Sequence, residues 1–456
     1  MYWLKELDPV ETLISRPLYA LTKDLLSFPA VVYRSGLYRK IRESYMKQTK
    51  IGTTKEGVLI YTGFISRILD FCARKNIEVD ARLHPLLIKR KKPSYPRGFS
   101  PRDFQLLSID QFFRFGRGVI VAPTGTGKTS LGLTLVSCVD GLESVLWLCH
   151  KVSLMRQTAE AAAEFFGNSN VGMLGDGIAD TSKFLTIATR QTYEDYADDL
   201  GTAHDLVIVD ETHHVSSFDG KYAEILRKTY APYRIGLTAT TPTQPEAVLA
   251  LEALIGPLIS QLTIEEGREK GYMADIKISI IKIPTSLSVR DLRKYADVYE
   301  HGVVRRLERN RRIVGLVKQH YEKGEAVLIV VNKLAHGDLL YNLCKKENIP
   351  TKYVYGITDS ESRALAQKKL NEKELCCVIA TDVWKEGINI PELNVVINAA
   401  GGKSDIATLQ SIGRGLRKTS TKDTLIVYDF FDDSHPYLIS HFGHRFSLYC
   451  EMGWIK

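Results

Sequence analysis

The sequence has no stretch of eighteen uninterrupted apolar residues, the length that a membrane-spanning helix needs. Its first residues include Lys5, Glu6 and Asp8 and lack the apolar core of a secretory signal. The seven cysteines are odd in number and form no CxxC pair of the kind that zinc and redox sites use. We therefore expect a cytoplasmic protein with no membrane association, whose thiols are reduced and mostly buried.

Charge is distributed unevenly along the chain. The net charge is +8 over 456 residues, but residues 1–100 contain 19 Lys and Arg against 9 Asp and Glu, so the remainder carries a small negative excess. A basic excess confined to one segment is typical of a module that binds a polyanion such as nucleic acid. The alternative is an ordinary solvated basic surface.

Short β-rich runs alternate with longer helical stretches from Val119 onward. This alternation is typical of parallel sheets, and it occurs twice, on either side of charged amphipathic helices predicted at residues 284–320. The predicted strands are GVIVAP, SVLWLCH, FLTIAT, DLVIVDE and RIGLTAT, then AVLIVVN, TKYVYG, CCVIATD, VVINAA and TLIVYDF. We therefore expect an α/β fold with two tandem domains of parallel sheets flanked by helices, joined near residues 268–280.

Residues 1–95 break this alternation and predict a small N-terminal α+β domain. It would contain a strand at VLIYTG, a helix at FISRILDFCARKN and a strand at IEVDAR. The tract LIKRKKPSYPRGFS follows, and its four consecutive basic residues and two prolines predict an exposed linker. The expected domains are residues 1–95, 96–270 and 271–456, the last with a C-terminal helical extension.

The strand GVIVAP runs into the glycine-rich TGTGKTS and a helical segment, which is the context of a phosphate-binding loop. Gly125 and Gly127 let backbone amides turn toward phosphates, and the start of the helix adds its positive dipole end. Lys128 would bind the β- and γ-phosphates and Thr129 would bind Mg²⁺, so ATP and Mg²⁺ are the expected cofactors. The residues expected to line the nucleotide phosphates are Thr124, Gly125, Thr126, Gly127, Lys128, Thr129 and Ser130.

Asp210 and Glu211 follow another apolar strand, so both carboxylates are expected at the sheet edge where ligands bind. Asp210 would hold Mg²⁺ through water, and Glu211 would orient and deprotonate the attacking water. An acidic pair after a strand can also be a helix cap or a surface feature, but its combination with a phosphate loop favours catalysis. A zinc site at His213 and His214 is disfavoured because no third ligand is apparent.

The second α/β region contains TLQSIGRGLRK, in which Gln410, Arg414 and Arg417 form the pattern QxxGRxxR. Arginines three apart share one helix face and could present guanidinium groups to the γ-phosphate as catalytic arginine fingers. Taken alone, the pattern would fit a basic surface turn better. The GGKS at residues 401–404 resembles the end of a phosphate loop but lacks the preceding glycine, so we interpret it as a loop that lies between domains or faces DNA.

In the order and spacing of these motifs, residues 100–420 resemble the superfamily 2 helicases. The likeness is closest to the phage branch-migration helicases of the UvsW type, with the XPB and RecG families more distant. It implies two RecA-like domains that hydrolyse ATP in the cleft between them. PRDFQ resembles the adenine-reading motif, which implies that Gln105, with Arg102 nearby, binds the adenine edge. DETH resembles motif II, with Thr212 in place of the commoner alanine.

Other motifs of the superfamily imply residues for nucleic-acid binding and for coupling. CHKVSLMRQ and IATRQTY resemble motifs Ia and Ib, and LTATT resembles motif III; IVVNKLAHGDLL, IATDVWKEGINIPELN and QSIGRGLRK resemble motifs IV, V and VI. The implied nucleic-acid contacts are Lys151, Thr189, Arg190, Asn332 and Thr381. The implied coupling residues are His213, Thr238 and Thr240, and Glu386 and Gly387 are expected near the nucleotide.

The basic N-terminal segment is expected to grip the duplex arms of branched DNA. VVYRSGLYRKIRESYMK interleaves tyrosines with basic residues, a combination that provides phosphate contacts and stacking on unpaired bases. The alternative is that the tyrosines are half-buried and the charges merely solvated. The expected DNA contacts in this segment are Arg34, Arg39, Lys40 and Arg42.

The expected function is that of an ATP-driven DNA helicase or translocase, acting on forks and four-way junctions in replication, recombination or repair. We expect a monomer whose candidate partners are branched DNA and replication or recombination proteins, working in the host cytoplasm if the source is a virus such as a bacteriophage. The alternatives are an RNA helicase, the motor subunit of a restriction system, and an ATP-gated nucleic-acid-binding switch without translocation.

Overall fold

The computed structural model describes residues 1–35, 40–85, 87–381, 390, 392–402, 422–451 and 454–455. The chain forms two compact units. The first comprises Met1–Ala122 and Gly127–Leu262, and the second comprises Pro123–Thr126 and Thr263–Lys456. The main boundary along the chain thus lies between Leu262 and Thr263, and the finer division at residues 95 and 270 stays a prediction.

The N-terminal part of the first unit has α+β structure. Its strands are β1 (Trp3–Glu6), β2 (Glu11–Ile14), β3 (Ser27–Ser35), β4 (Lys40–Gln48), β5 (Gly52–Thr53), β6 (Val58–Tyr61) and β7 (Asp80–Arg82). Its helices are α1 (Arg16–Thr22) and α2 (Ile65–Arg74), with 3-10 helices at Lys23–Leu26 and Thr62–Phe64. Five strands form a sheet in the order β5-β6-β2-β1-β7, and β3 and β4 form a separate antiparallel hairpin.

Helix α2 is positioned by the spacing of its apolar side chains. Ile65, Ile68, Leu69 and Cys72 recur at the intervals that place side chains on one face of a helix. Ile68 and Cys72 are buried in the core, and Ile65 and Leu69 pack against it. The order of strand, helix and strand predicted over residues 58–82 is confirmed.

The rest of the first unit is built on an eight-stranded sheet. The eight strands of this sheet are β9 (Arg117–Val121), β11 (Val145–Cys149), β12 (Val171–Gly175), β13 (Ile178–Ala179), β14 (Leu185–Thr189), β15 (Leu206–Asp210), β16 (Tyr233–Thr238) and β17 (Leu258–Gln261). Two further strands, β8 (Lys89–Arg90) and β10 (Val139–Asp140), form a separate two-stranded sheet. The helices are α3 (Asp103–Phe115), α4 (Lys128–Cys138), α5 (Val152–Phe166), α6 (Arg190–Glu194), α7 (Ala197–Leu200), α8 (Lys221–Lys228) and α9 (Pro245–Leu254), with 3-10 helices at Asn168–Asn170 and Thr212–His214. The sheet order is β13-β12-β14-β11-β15-β16-β9-β17, parallel except for β13.

The central strands of this sheet are buried along their whole length and are largely apolar. Every residue of β11, β14 and β15 is buried, which explains why their sequences read as continuous runs and not as alternating patterns. The predicted linker is mostly exposed, but it is not wholly irregular, since β8 pairs antiparallel with β10.

The N-terminal part and the eight-stranded sheet share one hydrophobic core, which includes Leu4 of β1, Phe64 of the 3-10 helix after β6, and Leu148 of β11. At the edge of this contact, Arg67 forms a two-pronged ion pair with Glu252, in which the Nε–Oε1 distance is 2.8 Å. The side chain of Glu252 has only 12% of its area exposed. The N-terminal part is therefore packed onto the parallel sheet and is not tethered to it by a linker alone.

The hairpin of β3 and β4 is held at its base by the segment that follows β15. The ring of Phe28 stacks on that of Phe218 at 6.2 Å, and Tyr61 contacts the same ring at 5.4 Å. Beside them, Lys47 forms an ion pair of 3.2 Å with Asp219. The hairpin base is thus fixed to the first unit by an aromatic cluster and one surface ion pair.

The second unit contains a parallel sheet with helices on both faces. Its strands are β18 (Asp275–Ile283), β19 (Ala326–Val330), β20 (Thr351–Val354), β21 (Cys377–Ala380), β22 (Leu393–Asn398) and β23 (Thr424–Asp432). Its helices are α10 (Ile264–Glu269), α11 (Leu287–Arg290), α12 (Tyr295–Tyr299), α13 (Leu307–Tyr321), α14 (Leu334–Lys346), α15 (Ser360–Asn371) and α16 (Pro436–Glu451), with a π-helix at Glu300–Val304. The strand order is β18-β23-β22-β19-β21-β20.

These elements confirm the predicted fold class of two parallel-sheet α/β regions preceded by a small α+β part. All ten strands predicted in the two regions are present, and residues 284–320 are helical in four short to medium pieces. Six cysteines are buried, Cys450 is exposed, and all seven are free thiols. In the described ranges, no helix is long and apolar enough to cross a lipid bilayer.

Candidate nucleotide-binding site

Three neighbouring strands bring the predicted nucleotide residues to one edge of the first parallel sheet. In the register, Asp210 at the end of β15 is opposite Leu237 of β16, and Thr238 at the end of β16 is opposite Val121 of β9. The loops that follow these strands leave the sheet side by side. In open parallel sheets, ligands bind at this carboxyl edge.

The phosphate loop lies between β9 and α4. Gly125 has a φ of +87° and Gly127 a φ of +91°, a backbone region that residues with a Cβ adopt only under strain. Gly127 directly precedes α4, of which Lys128 is the first residue. The first amides of a helix have no partner within the helix, so the loop presents N–H donors where a phosphate group can bind.

Hydrogen bonds within the loop hold this shape. The Thr126 hydroxyl donates to the carbonyl of Pro123 at 2.6 Å, and the Lys128 ammonium donates to the carbonyl of Ala122 at 3.2 Å. The Lys128 side chain thus extends back across the loop, on the side where phosphates are expected to bind. The general phosphate-loop pattern has a glycine five residues before Gly127, and this chain has Ala122 there. Ala122 contributes through its backbone carbonyl, which any residue type supplies.

Gln105 lies against the phosphate loop. Its side chain is almost wholly buried, its Oε1 accepts a hydrogen bond from the Arg102 amide at 2.8 Å, and its Nε2 donates to the Gly127 carbonyl at 3.0 Å. The oxygen and the nitrogen of the Gln105 side-chain amide therefore both form hydrogen bonds within the protein. The adenine contact that the resemblance implies for Gln105 and Arg102 stays a prediction, and the structure adds a contact with the loop that sequence reasoning missed.

The acidic pair has an unusual backbone. Asp210 is the last residue of β15 and is buried, and Glu211 follows in a left-handed conformation with a φ of +51°. The Glu211 amide donates to Oδ1 of Asp210 at 2.9 Å. A left-handed glutamate is held there only when its surroundings determine it, and such residues cluster at functional sites.

The two carboxyl groups differ electrostatically. Burial and the neighbouring charge of Glu211 raise the pKa of Asp210, and the Lys128 ammonium offsets this only in part. Burial would also raise the pKa of Glu211, but Lys128 and a hydrogen bond from His213 outweigh it and lower that pKa below its usual value. Glu211 is therefore the carboxylate that stays ionised, and Asp210 is the one whose charge would gain most from a bound cation.

His213 connects the acidic pair to the turn after β16. Its Nδ1 lies 3.2 Å from the Thr238 hydroxyl and 3.4 Å from Oε2 of Glu211. The Thr238 hydroxyl donates its proton to the Thr240 carbonyl at 2.9 Å, so it accepts from Nδ1–H of His213. The three predicted coupling residues are thus brought together beside Glu211.

The predicted nucleic-acid contacts of the first unit lie at the same edge, after β11 and β14. Lys151 is exposed and directly precedes α5. The Thr189 hydroxyl caps α6 by accepting from the Thr192 amide at 3.3 Å, and Arg190 forms an ion pair of 3.1 Å with Glu194. Their roles in nucleic-acid binding stay predictions, and of these three residues Lys151 alone is exposed.

In the second unit, Asn332 follows β19 and is exposed, and Thr381 follows β21 and is half-buried. Because β19 and β21 are neighbours, with Val330 opposite Ala380, these two predicted contacts leave the sheet at adjacent positions.

Several predicted residues cannot be placed. Six of them lie outside the described residues: Arg39, Glu386, Gly387, Gln410, Arg414 and Arg417. Of the GGKS segment, the structure describes only the two glycines, so its interpretation as a loop stays a prediction. Arg34, Lys40 and Arg42 belong to the strands of the hairpin, whose backbone alone is described at these positions. Their predicted roles stay predictions.

Comparison with known proteins agrees with this arrangement. Residues 98–243 match a family model described as Type III restriction enzyme, res subunit, and residues 308–419 match the helicase conserved C-terminal domain. The DNA 3'-5' translocase XPB2 of Sulfurisphaera tokodaii is 28% identical over 71% of this chain and 80% of its own length. The ATP-dependent DNA helicase uvsW of Enterobacteria phage T4 is 23% identical over 70% of this chain and 66% of its own length.

Among solved structures, that of S. cerevisiae Dbp5 bound to RNA and ADP BeF3 has a TM-score of 0.57 at 15% identity, covering 78% of this chain and 89% of that chain. At this identity the likeness concerns the fold, which is that of tandem RecA-like domains. The two family models cover the two parallel-sheet regions in the same order as the motifs. The chain therefore belongs to the superfamily 2 helicases, a class of ATP-dependent enzymes, and is similar to their UvsW and XPB members.

Proposed function

We propose that this protein is an ATP-dependent DNA helicase or translocase that acts on branched DNA, such as forks and four-way junctions. The observation that carries the catalytic part is the position of Glu211. Its carboxylate is ionised, its backbone is in the left-handed region, and it directly follows β15. One strand, β16, separates β15 from β9, the strand that leads into the phosphate loop. That placement suits a group that acts on a water beside a bound nucleotide.

In the proposed reaction, the amides around Gly125 and Gly127 and the Lys128 ammonium bind the phosphates of ATP. Glu211 orients the attacking water and accepts its proton. Phosphoryl transfer passes through a loose transition state, so orientation of the water contributes more than a strong base would. We propose that Arg414, Arg417 and Gln410 act on the γ-phosphate, with the two arginines stabilising its charge.

Mg²⁺ fits the oxygen donors at this edge. The Thr129 hydroxyl, one residue into α4, and the Asp210 carboxylate are hard oxygen ligands of the type that Mg²⁺ prefers. Asp210 is buried next to a second carboxylate, an arrangement that a cation would relieve. When bound, Mg²⁺ neutralises charge on the phosphates that Lys128 and the loop amides hold.

The choice of branched DNA rests on the names of similar proteins and on charge. The relatives in Sulfurisphaera tokodaii and phage T4 are a DNA translocase and a DNA helicase by name. The basic excess of residues 1–100 supports a second contact with a nucleic-acid backbone, with Arg34, Arg39, Lys40 and Arg42 in the hairpin region. We propose a cytoplasmic monomer that can be directed by replication or recombination proteins.

Two other functions have observations in their favour. A match of residues 98–243 to a restriction subunit favours a motor that serves a nuclease. A relative named as a putative ATP-dependent RNA helicase, from Acanthamoeba polyphaga mimivirus, is 25% identical over 70% of this chain and favours RNA as the track.

One panel of measurements tests these choices. ATP hydrolysis is measured with single-stranded, duplex, forked and four-way DNA and with RNA, and unwinding is measured on the same substrates. We expect the largest stimulation and the fastest unwinding with forked or four-way DNA. Stimulation by RNA alone would replace the DNA assignment, and stimulation by DNA without strand separation would favour a restriction motor or a binding switch over a helicase.

A further inference from the structure

Three histidine rings form a stack beside the acidic pair. The rings of His213 and His214 lie 4.3 Å apart, and the ring of His150 lies 4.3 Å from that of His214. The planes are tilted by 37° and 39°. These separations are at the short end of the range for packed aromatic pairs, so the three rings are in close contact.

The stack joins two segments that are distant in sequence. His150 directly follows β11 and precedes Lys151 in the turn that leads to α5, whereas His214 ends the 3-10 helix that directly follows Glu211. The segments meet because β11 and β15 are adjacent parallel strands, with Leu148 opposite Val209. Among the described residues, no group of three or more His, Cys, Asp or Glu has the arrangement of a metal site, so we read the contact as packing between rings.

We propose that His150 and His214 are positioning residues that couple nucleic acid bound at Lys151 to the orientation of Glu211. This inference rests on the proposed function, because it requires a nucleic-acid contact at Lys151. It goes beyond the contact of His213 with Thr238, which links the segment after β15 to the end of β16. The histidine stack links the segment after β15 to the neighbour on the other side, β11.

The physical argument is that the stack has little freedom to absorb a displacement. An imidazole is a rigid plate, and His214 is joined to Glu211 by a hydrogen bond from the His214 amide to the Glu211 carbonyl at 3.1 Å. Glu211 is in a strained left-handed conformation, so a small shift of the segment changes the direction of its side chain. Movement of the Lys151 turn is thereby passed to the carboxylate that orients water.

The test uses the full-length protein and compares His150→Gln with His150→Phe. Glutamine removes the ring and keeps polarity, whereas phenylalanine keeps a flat ring that can stack. His301→Ala is the control, because His301 is an exposed histidine of the second unit whose Nδ1 pairs with the Asp297 carbonyl of α12. For each protein we measure ATP hydrolysis without nucleic acid and with saturating single-stranded DNA, the half-saturating DNA concentration and the KM for ATP.

We expect His150→Gln to reduce the ratio of stimulated to unstimulated hydrolysis by about fivefold or more, the usual lower range of coupling between sites. The half-saturating DNA concentration and the KM for ATP should stay within about twofold, since neither ligand loses a contact. His150→Phe should restore most of the ratio, and His301→Ala should match the unmodified protein. The ratio compares two rates of one preparation, so a partly unfolded variant does not distort it.

Three outcomes would overturn the inference. Full stimulation in His150→Gln would mean that the stack is packing without a coupling role. A rise in half-saturating DNA concentration that accounts for the lost stimulation would make His150 a binding contact. Equal loss in His150→Gln and His150→Phe would mean that the ring contact is not what matters. If the unmodified protein is not stimulated by any nucleic acid, the proposed function itself fails, and the coupling fails with it.

Discussion

Replacing Gly127 with alanine would test whether the phosphate loop depends on its left-handed backbone and on its contact with Gln105. Gly127 combines a φ of +91° with a ψ of 42°. A Cβ built at this position would lie 3.0 Å from Nε2 of Gln105, closer than ordinary van der Waals contact. The substitution therefore adds two separate sources of strain to the loop in its phosphate-binding shape.

The size of the effect follows from these two contributions. A left-handed backbone costs a residue with a Cβ about 1–2 kcal/mol. Gln105 is buried and bonded to both Arg102 and Gly127, so it can yield only by leaving its rotamer, at roughly 1 kcal/mol. Because binding must restore the strained shape, the sum of about 2–3 kcal/mol corresponds to roughly 30- to 150-fold weaker ATP binding.

The assay is equilibrium titration with a non-hydrolysable ATP analogue by calorimetry. In the background of Gln105→Ala, the same glycine substitution should cost about fivefold less affinity, because only the backbone strain remains. Gly141→Ala is the control, since Gly141 has a φ of +76° but no atom would lie within 4 Å of its Cβ. Affinity of Gly127→Ala within about twofold of the unmodified protein would refute the reasoning, and equal costs in both backgrounds would refute the part played by Gln105.

Three other predictions follow from the site and its support. Glu211→Gln should lower DNA-stimulated hydrolysis by about 10²–10⁴ while ATP still binds, and a near-normal rate in a steady-state assay would remove Glu211 from catalysis. Because the pKa of Asp210 is raised, this residue should gain a proton in the weakly acidic range and not only near the usual aspartate value of about 3.9. We therefore expect kcat/KM for ATP to fall as the pH is lowered through the weakly acidic range. A pH profile of kcat/KM that is flat down to about 3.9 would contradict this. Arg67→Ala should lower the free energy of unfolding of the first unit by about 1–2 kcal/mol in a urea titration, because Glu252 loses its ion pair, whereas Arg74→Ala on the same helix should change it little.

Much of the fold could be predicted because its signals are local. β11 and β15 are continuous apolar runs that are buried on both faces, and such runs identify strands of covered parallel sheets from sequence alone. The phosphate loop was equally accessible, since Gly125 and Gly127 occupy the positions where a left-handed backbone is required.

The remaining features depend on which strands are neighbours, and local sequence does not encode strand order. His150 meets His214 only because β11 lies next to β15. Gln105 illustrates the same limit, since its motif indicates a base contact, while the hydrogen bond to Gly127 depends on how α3 packs beside the loop. The shared core of the N-terminal sheet could not be predicted either, because the charged linker at residues 89–92 marks a boundary in composition and not in packing.

The packing of the hairpin base against Phe218 and Asp219 has a consequence for any chimera or truncation of this chain. The base of the hairpin contacts the segment that follows Asp210 and Glu211, and the rings of Phe28 and Tyr61 both pack against Phe218. A shortened chain that starts at residue 96 would open this aromatic cluster to water and expose apolar residues that the two sheets bury together. Such a chain would be destabilised close to Glu211. Loss of its activity would therefore reflect lower protein stability and would not show whether the hairpin binds DNA.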